Sequence, residues 1–428
     1  MLRSQALELF GSVAGSNGDF AFRGDLAFVT RTDDWDKSTP EDGFNVVDIA
    51  DPSNPTVLAR FECIGSFVDI SVWDDIVVLS QDRVTAGDDC AAKASSESAA
   101  DAFAGIRIVS IADPARPTLL ASVPTGISEG AGLRSVRGSH TNTIVPDLEH
   151  RDASGSPAPR VLVYASMFYY PGAKPHASIV EIPLGDPSAA RIVGTFDNGT
   201  GMTCHDITVY LPAKLAACAA YTAGVILFDI SDPVRPVIVS HLVVPGITQN
   251  IESHHSTTFS NDGRSLVINA EILQTACAGG TDGDEGALWF YDITDPAQPH
   301  ERSFFQLPRP NPGHSCYAHQ SNVVPMRGDR DVLVTGWMGG GVNLVDFTDL
   351  AQPRELAHWV AADADGQHSF TDTAYWYNGH VYAANLAISS GDTPATQLGF
   401  EVFAVDDGLV EDTVTLPHLN PQTQEALP

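Results

Sequence analysis

The chain has 428 residues, of which 43% are hydrophobic and 18% are charged, as is typical of a folded globular protein. Its formal net charge of −31 argues against nucleic acid and anionic membrane surfaces as partners, because both repel such a surface. No run of about 18 uncharged apolar residues occurs, so we predict no transmembrane helix.

The chain begins with a stretch that is unlike a secretory signal peptide. Residues Met1–Phe10 lack the apolar core of about 7–15 residues that such a peptide contains. The sequence as given therefore predicts a cytoplasmic protein, or an extracytoplasmic one if an export signal has been removed.

An apolar run that ends in an aspartate-rich turn recurs along the chain. The clearest copy, Val225–Pro233, reads VILFDISDP and is followed by a second apolar run up to Leu242. Asp-Pro between two such runs predicts strand, turn and strand. Copies begin at residues 44, 106, 179, 225, 288, 342 and 400. Repeats of this period in an all-β sequence are typical of propeller blades.

Each repeat divides into four predicted strands, and in the fourth repeat these cover residues 205–210, 215–221, 225–230 and 237–243. We therefore predict an all-β fold, a single seven-bladed β-propeller domain over residues 1–428. The predicted blades begin near residues 19, 67, 140, 205, 255, 319 and 371. A possible ring-closing strand lies in residues 1–18, at Ala6–Val13, and residues 410–416 compete for the same role.

The six cysteines contain no C-x-x-C pair, so we do not expect a zinc ribbon. Consecutive pairing would give Cys63–Cys90, Cys204–Cys218 and Cys277–Cys316, each within about one blade. Disulfides would imply an oxidising compartment, and buried thiols are the alternative. Cys90 lies in a polar, Ala/Ser-rich insertion, residues 82–104, that we predict to be a loop.

Four successive predicted blades place a histidine at the start of the innermost strand, namely His140, His205, His255 and His319. Equivalent positions on innermost strands surround the channel of a propeller, so four imidazoles can converge on one cation. Neutral imidazole suits iron, copper, zinc or nickel. Open positions on such a metal would suit a Lewis acid or an oxygen-activating centre. The structural alternative is that each imidazole bonds the backbone of a neighbouring blade.

Further candidates lie beside these histidines. Glu271 follows the strand after His255 and is a candidate base or partner of a ligand. His254 is the second catalytic candidate, although it should point to the other side of the strand. Three aspartates that follow the histidine register by one residue are favoured as structural groups: Asp69, Asp206 and Asp372. Asp282–Glu285 could bind calcium, but its spacing misses the EF-hand pattern and a solvated loop is favoured.

The repeated box resembles the LVIVD-repeat family of bacterial and archaeal β-propellers, from about Asp19 to Asp406. Most members of that family lack an assigned activity. At the level of architecture, the four histidines are similar to those of carotenoid-cleaving oxygenases, seven-bladed propellers in which four inner histidines hold ferrous iron. Methanethiol oxidase and selenium-binding proteins are another group of metal-containing propellers with histidines. These likenesses imply a metal and leave the substrate open.

The sequence thus predicts a metal-dependent enzyme with one divalent transition metal on the axis. Iron or copper is favoured, and zinc and nickel are alternatives. The narrowest expectation is oxidoreductase or oxygenase chemistry on a small, largely apolar organic substrate. Lyase, isomerase or hydrolase chemistry could use the same site. A non-catalytic propeller scaffold that binds a protein or glycan is the alternative from another class, and the oligomeric state stays open.

Overall fold

The structure is a computed structural model. It describes residues 2–4, 6–15, 18–31, 39, 41–96, 99–125, 127–130, 133–136, 138–167, 177–244, 253–271, 286–308, 316–360, 370–386, 399–406, 408 and 411–428. Strands dominate these residues, which confirms the all-β class. The helical residues described form three short 3-10 turns, Pro187–Ala189, Leu211–Ala213 and Tyr221–Ala223. No described helix is long and apolar enough to cross a bilayer.

The strands of the first half of the chain are β1 (Leu2–Arg3), β2 (Leu7–Val13), β3 (Phe20–Arg23), β4 (Leu26–Arg31), β5 (Gly43–Asp48), β6 (Thr56–Glu62), β7 (Phe67–Trp73), β8 (Ile76–Ala86), β9 (Ala102–Ser110), β10 (Thr118–Pro124), β11 (Ile127–Gly130), β12 (Leu133–Val136), β13 (Thr141–Asp147), β14 (Arg160–Ser166), β15 (Ala177–Pro183) and β16 (Arg191–Phe196). Those of the second half are β17 (Asp206–Tyr210), β18 (Leu215–Ala219), β19 (Val225–Asp229), β20 (Val237–Leu242), β21 (Ser256–Phe259), β22 (Ser265–Asn269), β23 (Leu288–Asp292), β24 (His300–Phe305), β25 (Tyr317–Val323), β26 (Val332–Met338), β27 (Gly341–Asp346), β28 (Arg354–Val360), β29 (Phe370–Tyr377), β30 (His380–Leu386), β31 (Phe400–Val405), β32 (His418–Leu419) and β33 (Thr423–Gln424).

Consecutive strands pair antiparallel in groups of four. Strands β7 to β10, β13 to β16 and β21 to β24 form separate four-stranded sheets. The groups β3 to β6 and β17 to β20 each gain a C-terminal strand, β32 and β33 respectively. A larger sheet joins β25 to β28 with β29 to β31, and the N-terminal strands β1 and β2 form its edges. The strands β11 and β12 make a hairpin of their own.

The first strands of neighbouring groups lie side by side and are joined by side-chain hydrogen bonds. The Ser71 hydroxyl on β7 donates to the Asn142 carbonyl on β13 at 3.2 Å. On β17, the Thr208 hydroxyl donates to the Thr257 carbonyl of β21 at 2.7 Å. Strand β25 pairs directly with β29, and the Tyr375 hydroxyl on β29 donates to Asp19 beside β3 at 2.8 Å. These contacts arrange the first strands around a common channel.

The repeated aspartates cap the turn between the third and fourth strands of a group. In the fourth repeat, Asp229 Oδ1 accepts a hydrogen bond from the Ser231 amide at 2.7 Å, and Asp232 Oδ1 accepts one from the Val234 amide at 3.2 Å. The same two bonds recur at Asp48 and Asp51, Asp292 and Asp295, and Asp346 and Asp349. Aspartate stabilises a turn in this way because its short side chain reaches the amide two residues on.

Both chain ends are tied into this arrangement. Strand β2 pairs antiparallel with β31, with Leu7 opposite Val405. Of the two ring-closing segments that the sequence leaves open, the N-terminal one therefore completes the last group. At the other end of the chain, Thr413 bridges Met326 instead. Beyond it, the residues 418–424 cross the far ends of the first strands, with β32 paired to β3 and β33 paired to β17.

Candidate functional site

The four histidines of the predicted register lie at the start of neighbouring first strands. His140, His205 and His255 directly precede β13, β17 and β21, and His319 lies in β25. Their backbones are fixed, since the His205 amide donates to the Ala219 carbonyl at 2.6 Å and the His255 amide to the Asn269 carbonyl at 3.0 Å. Hydroxyl groups of the neighbouring first strands donate to the backbone carbonyls of two of these histidines. Thr141 Oγ1 donates to the His205 carbonyl at 2.6 Å and Ser256 Oγ to the His319 carbonyl at 2.8 Å.

The four imidazoles follow one another in a continuous row of contacts. Ring centroids are 4.7 Å apart between His140 and His205, 3.9 Å between His205 and His255, and 4.1 Å between His255 and His319. The structure therefore places the four predicted ligands side by side. The structural alternative also has support, because His319 Nδ1 lies 2.9 Å from the Asp372 carbonyl and the rings of His205 and His255 bond the backbones of His255 and His319.

Three of these histidines each contact a carboxylate from a different part of the chain. The shortest separations are 3.2 Å between His255 Nε2 and Glu271 Oε2, 3.2 Å between His319 Nδ1 and Asp372 Oδ1, and 3.4 Å between His140 Nδ1 and Asp82 Oδ2. Carboxylates in this position orient an imidazole and raise its basicity towards a metal. Glu271 also offers a ligand atom of its own, because its carboxylate and ring nitrogens of His205 and His255 all lie within 4.8 Å of one another.

Burial keeps the central histidines uncharged. It lowers the pKa of His205 well below the usual 6.5, and the neighbouring His140 and His319 add to the effect. The pKa of His255 is lowered well below 6.5 for the same reason, with a further contribution from His205. Both imidazoles are thus neutral at neutral pH, which is the protonation state that binds metals.

The histidines open onto a cavity of about 250 Å³. Three aspartates complete its wall, Asp19, Asp69 and Asp372, together with Thr141, Gln320, Thr373, Val68 and Glu271. Asp69 also has the structural role expected for it, since it accepts hydrogen bonds from the Ile70 amide at 2.7 Å and from the Asn142 amide at 2.5 Å. Asp206 accepts the Ile207 amide at 2.7 Å in the same way.

His254 lies outside this cavity wall. Its Nδ1 is 2.6 Å from the Tyr221 carbonyl, and its Nε2 accepts the Val244 amide at 3.2 Å. Burial lowers the pKa of His254 to about 4. Since both ring nitrogens bond the backbone, the structure gives His254 a structural position rather than the catalytic one that adjacency to His255 suggests.

Comparisons with known proteins agree with the repeat architecture. A family model described as LVIVD repeat matches residues 14–62. Among solved structures, Raptor from Chaetomium thermophilum has a TM-score of 0.53 at 14% identity, U3-55K has 0.53 at 9%, and the RRP9 WD40 repeats have 0.55 at 9%. This chain is a β-propeller repeat protein that carries an LVIVD repeat.

The propeller covers different shares of these structures. The alignments include 96%, 94% and 94% of this chain. They include 30% of Raptor, 98% of U3-55K and 98% of the RRP9 chain. At such low identities the likeness concerns the fold. No curated protein matches the sequence.

Two of the three predicted cysteine pairs are disulfides in this propeller, Cys63–Cys90 and Cys204–Cys218. The third involves Cys277, which lies outside the described residues, as do the calcium candidates Asp282–Glu285.

Sequence reasoning missed Asp82 as a partner of His140. The prediction that a loop begins at Asp82 was wrong, because β8 continues through it to Ala86 and pairs there with the start of β9. The polar composition of residues 82–86 concealed the end of this strand.

Proposed function

We propose that the chain is a metal-dependent enzyme with one divalent transition metal on the propeller axis. The observation that carries this proposal is the row of four contacting imidazoles beside Glu271, because the neutral ring nitrogens of His205 and His255 and the Glu271 carboxylate, which all lie within 4.8 Å of one another, are a donor set that suits a divalent transition metal. His205, His255 and Glu271 would form the core of the donor set, with His140 and His319 beside them. Imidazole nitrogens combined with a carboxylate favour iron, with copper, zinc and nickel as alternatives.

The residues around the donors would keep them in place. The Asp372 backbone carbonyl, 2.9 Å from His319 Nδ1, and the Asp82 carboxylate, 3.4 Å from His140 Nδ1, would hold these two rings and leave Nε2 of each for the metal. Thr141 and Ser256 would fix the carbonyls of His205 and His319 by their short hydrogen bonds. A bound metal would supply a Lewis acid or an oxygen-activating centre, and oxidoreductase chemistry is the proposed reaction type.

The polar character of the cavity wall changes the class of substrate that we propose. All but Val68 of the described wall residues are polar or ionisable, so a largely apolar molecule would leave buried polar groups without partners. We therefore propose a small polar organic substrate in place of the largely apolar one expected from the sequence.

We also propose that the ring has seven blades. Six would be the groups that begin with β3, β7, β13, β17, β21 and β25. The seventh would consist of β29, β30 and β31 with β2 as its outer strand, which is supported by the pairing of Leu7 with Val405. The contact of Tyr375 with Asp19 would join this seventh blade to the first.

The disulfides are evidence on the cellular compartment of the protein. Cys63–Cys90 and Cys204–Cys218 would not persist in a reducing cytosol. We therefore propose an oxidising, extracytoplasmic compartment, in place of the cytoplasmic location expected from the sequence as given.

Metal content tests the main proposal. Elemental analysis should find about one iron, copper, zinc or nickel per chain, purified directly or after anaerobic reconstitution. The variant His205→Ala/His319→Ala should lose this metal while its circular dichroism spectrum stays that of a folded β-protein. His241→Ala is the matched control, because His241 is exposed on β20. A wild-type protein that contains no metal after reconstitution would refute the proposal and favour a non-catalytic binding scaffold.

A further inference from the structure

Tyr221 is a buried tyrosine with an uncommon backbone conformation beside the proposed metal site. It begins the 3-10 turn Tyr221–Ala223, which follows β18, and it is fully buried. Its φ of +54° lies in the left-handed region, which is unfavourable for a bulky side chain. A tyrosine keeps such a conformation only where its surroundings hold it there, and residues of this kind cluster at functional sites.

Hydrogen bonds from the residues that precede His255 hold Tyr221 in this conformation. The Tyr221 amide donates to the His254 carbonyl at 3.2 Å, and the His254 amide donates to the Tyr221 carbonyl at 3.3 Å. The same Tyr221 carbonyl lies 2.6 Å from His254 Nδ1 and accepts the Ser253 hydroxyl at 3.3 Å. Nε2 of His254 accepts the Val244 amide at 3.2 Å. An imidazole whose Nε2 accepts a hydrogen bond carries its proton on Nδ1, so Nδ1 is the donor to Tyr221.

The aromatic ring of Tyr221 packs against the imidazole of His205. The two ring centroids are 5.2 Å apart and the ring planes are inclined by 75°, which is the edge-to-face arrangement that aromatic pairs prefer. The centroid of the His255 ring lies 3.9 Å from that of His205, and His255 follows His254 in the chain. These contacts close a circuit of four residues in the order His205, Tyr221, His254 and His255.

We infer that Tyr221 and His254 are positioning residues for the two central histidines of the proposed metal site. They set the separation and the tilt of the His205 and His255 rings. His205 is placed through its contact with the Tyr221 ring, and His255 through its peptide bond to His254. The inference rests on the proposed function in taking these histidines as metal donors, and it adds the groups that fix their geometry. Partners that orient metal ligands typically contribute about 10-fold to 100-fold in metal affinity.

Binding of Co²⁺ to the full chain tests the inference, because the absorption of the bound ion reports ligand geometry and competition with a chelator reports affinity. Tyr221→Leu removes the ring that contacts His205, so it should weaken Co²⁺ binding about 10-fold to 100-fold and shift the absorption bands. Tyr221→Phe keeps the ring and should retain the affinity and spectrum of the wild type. Tyr291→Leu is the matched control, because Tyr291 is a buried tyrosine on β23 whose hydroxyl contacts Glu301. It should lose stability and keep the wild-type spectrum. Equal losses of affinity in the two leucine variants would overturn the inference.

His254 provides a second test that does not depend on the folding of Tyr221→Leu. His254→Asn keeps an N–H donor for the Tyr221 carbonyl and should bind Co²⁺ more tightly than His254→Leu, which has none. Equal Co²⁺ affinity of these two variants would contradict the inference.

Heteronuclear NMR of the histidine rings in the wild-type protein without metal needs no variant. It should show His254 with its proton on Nδ1, and a proton on Nε2 instead would refute the circuit of contacts. A wild-type protein that binds no metal refutes the proposed function, and the tautomer of His254 then decides whether the circuit exists. A wild-type protein that binds metal, with a Tyr221→Leu variant that binds it equally well, refutes this inference alone.

Discussion

The disulfide Cys204–Cys218 should control the affinity of the metal site. Cys204 directly precedes His205, and Cys218 lies on β18, the strand that pairs with β17. The His205 amide bonds the carbonyl of Ala219, the neighbour of Cys218. Replacing both cysteines by alanine removes the covalent link that holds the start of β17. We expect the variant Cys204→Ala/Cys218→Ala to bind metal more weakly than the wild type.

The size of the effect follows from the loop that the disulfide closes. A sequence separation of 14 residues corresponds to about 3 kcal/mol of chain entropy. That free energy is an upper limit on its coupling to the metal, and couplings between sites usually amount to about 1–3 kcal/mol, or roughly 5-fold to 150-fold in affinity. Coupling is reciprocal. Bound metal should therefore protect this disulfide from reduction by the same factor.

Competition between the protein and a chelator for Co²⁺ measures the affinity, and the absorption of the bound ion reports its ligands. The matched control is Cys63→Ala/Cys90→Ala, whose loop with a separation of 27 residues has a comparable entropy of about 3.5 kcal/mol but adjoins none of the four histidines in sequence. Loss of stability in both variants without loss of metal affinity in either would refute the coupling between the disulfide and the metal site. Equal losses of affinity would refute it too, because they would show a general effect of stability.

Two predictions concern stability alone. Burial raises the pKa of Glu401 to about 7 from its ordinary 4.5, against an opposing hydrogen bond from Asn385. The folded protein thus keeps a proton that the unfolded chain releases. The contribution of Glu401 to stability is therefore fully present below about pH 4.5 and falls by about 3 kcal/mol as the pH rises from there through 7. Glu401→Gln should remove this slope in urea unfolding between pH 4.5 and 8. Gly224 has a φ of +103°, and a Cβ there would overlap the Leu242 carbonyl oxygen, so Gly224→Ala should cost about 1–3 kcal/mol.

The controls for these two predictions are simple. A parallel pH slope in wild type and Glu401→Gln would show that another group titrates. Gly185→Ala serves for the glycine, because nothing lies within 4 Å of a Cβ at that position and its stability should stay nearly constant. Equal stability of Gly224→Ala and Gly185→Ala would show that neither the positive φ of Gly224 nor the contact of a Cβ with Leu242 destabilises the fold.

The repeat could be predicted because its signal is local. Asp229 and Asp232 cap their turn through amides two residues away, so every copy of the box carries the information for its own turn. The histidine register follows from the same repeat, because equivalent positions in equivalent strands meet at the channel. The β-propeller repeat and the all-β class were confirmed on this basis.

The partners of the cavity residues could not be predicted in the same way. Asp82 reaches His140 across 58 residues, and Gln422 reaches Asp19 across 403 residues. Such contacts depend on how neighbouring sheets pack, and no local pattern marks them. Glu271 was an exception, because it follows the strand that pairs with the one after His255. Asp19 follows Gly18 as Asp206 follows His205, and Gly18 and His205 are equivalent positions of the repeat. The alignment of the repeats therefore contained a signal for Asp19.

The pairing of β2 with β31 has a consequence for how the chain folds during synthesis. Leu7 leaves the ribosome early, whereas its partner Val405 leaves it about 400 residues later. Until then β2 has a free edge, and the last group consists of β29 and β30 alone. Completion of the last group must therefore wait for the synthesis of β31 and depends on contacts of very high sequence separation, which form slowly. Nascent chains that stop short of β31 should expose the edges of β2 and β30 that β31 covers in the folded protein, and chaperones that shield open strands would act on them.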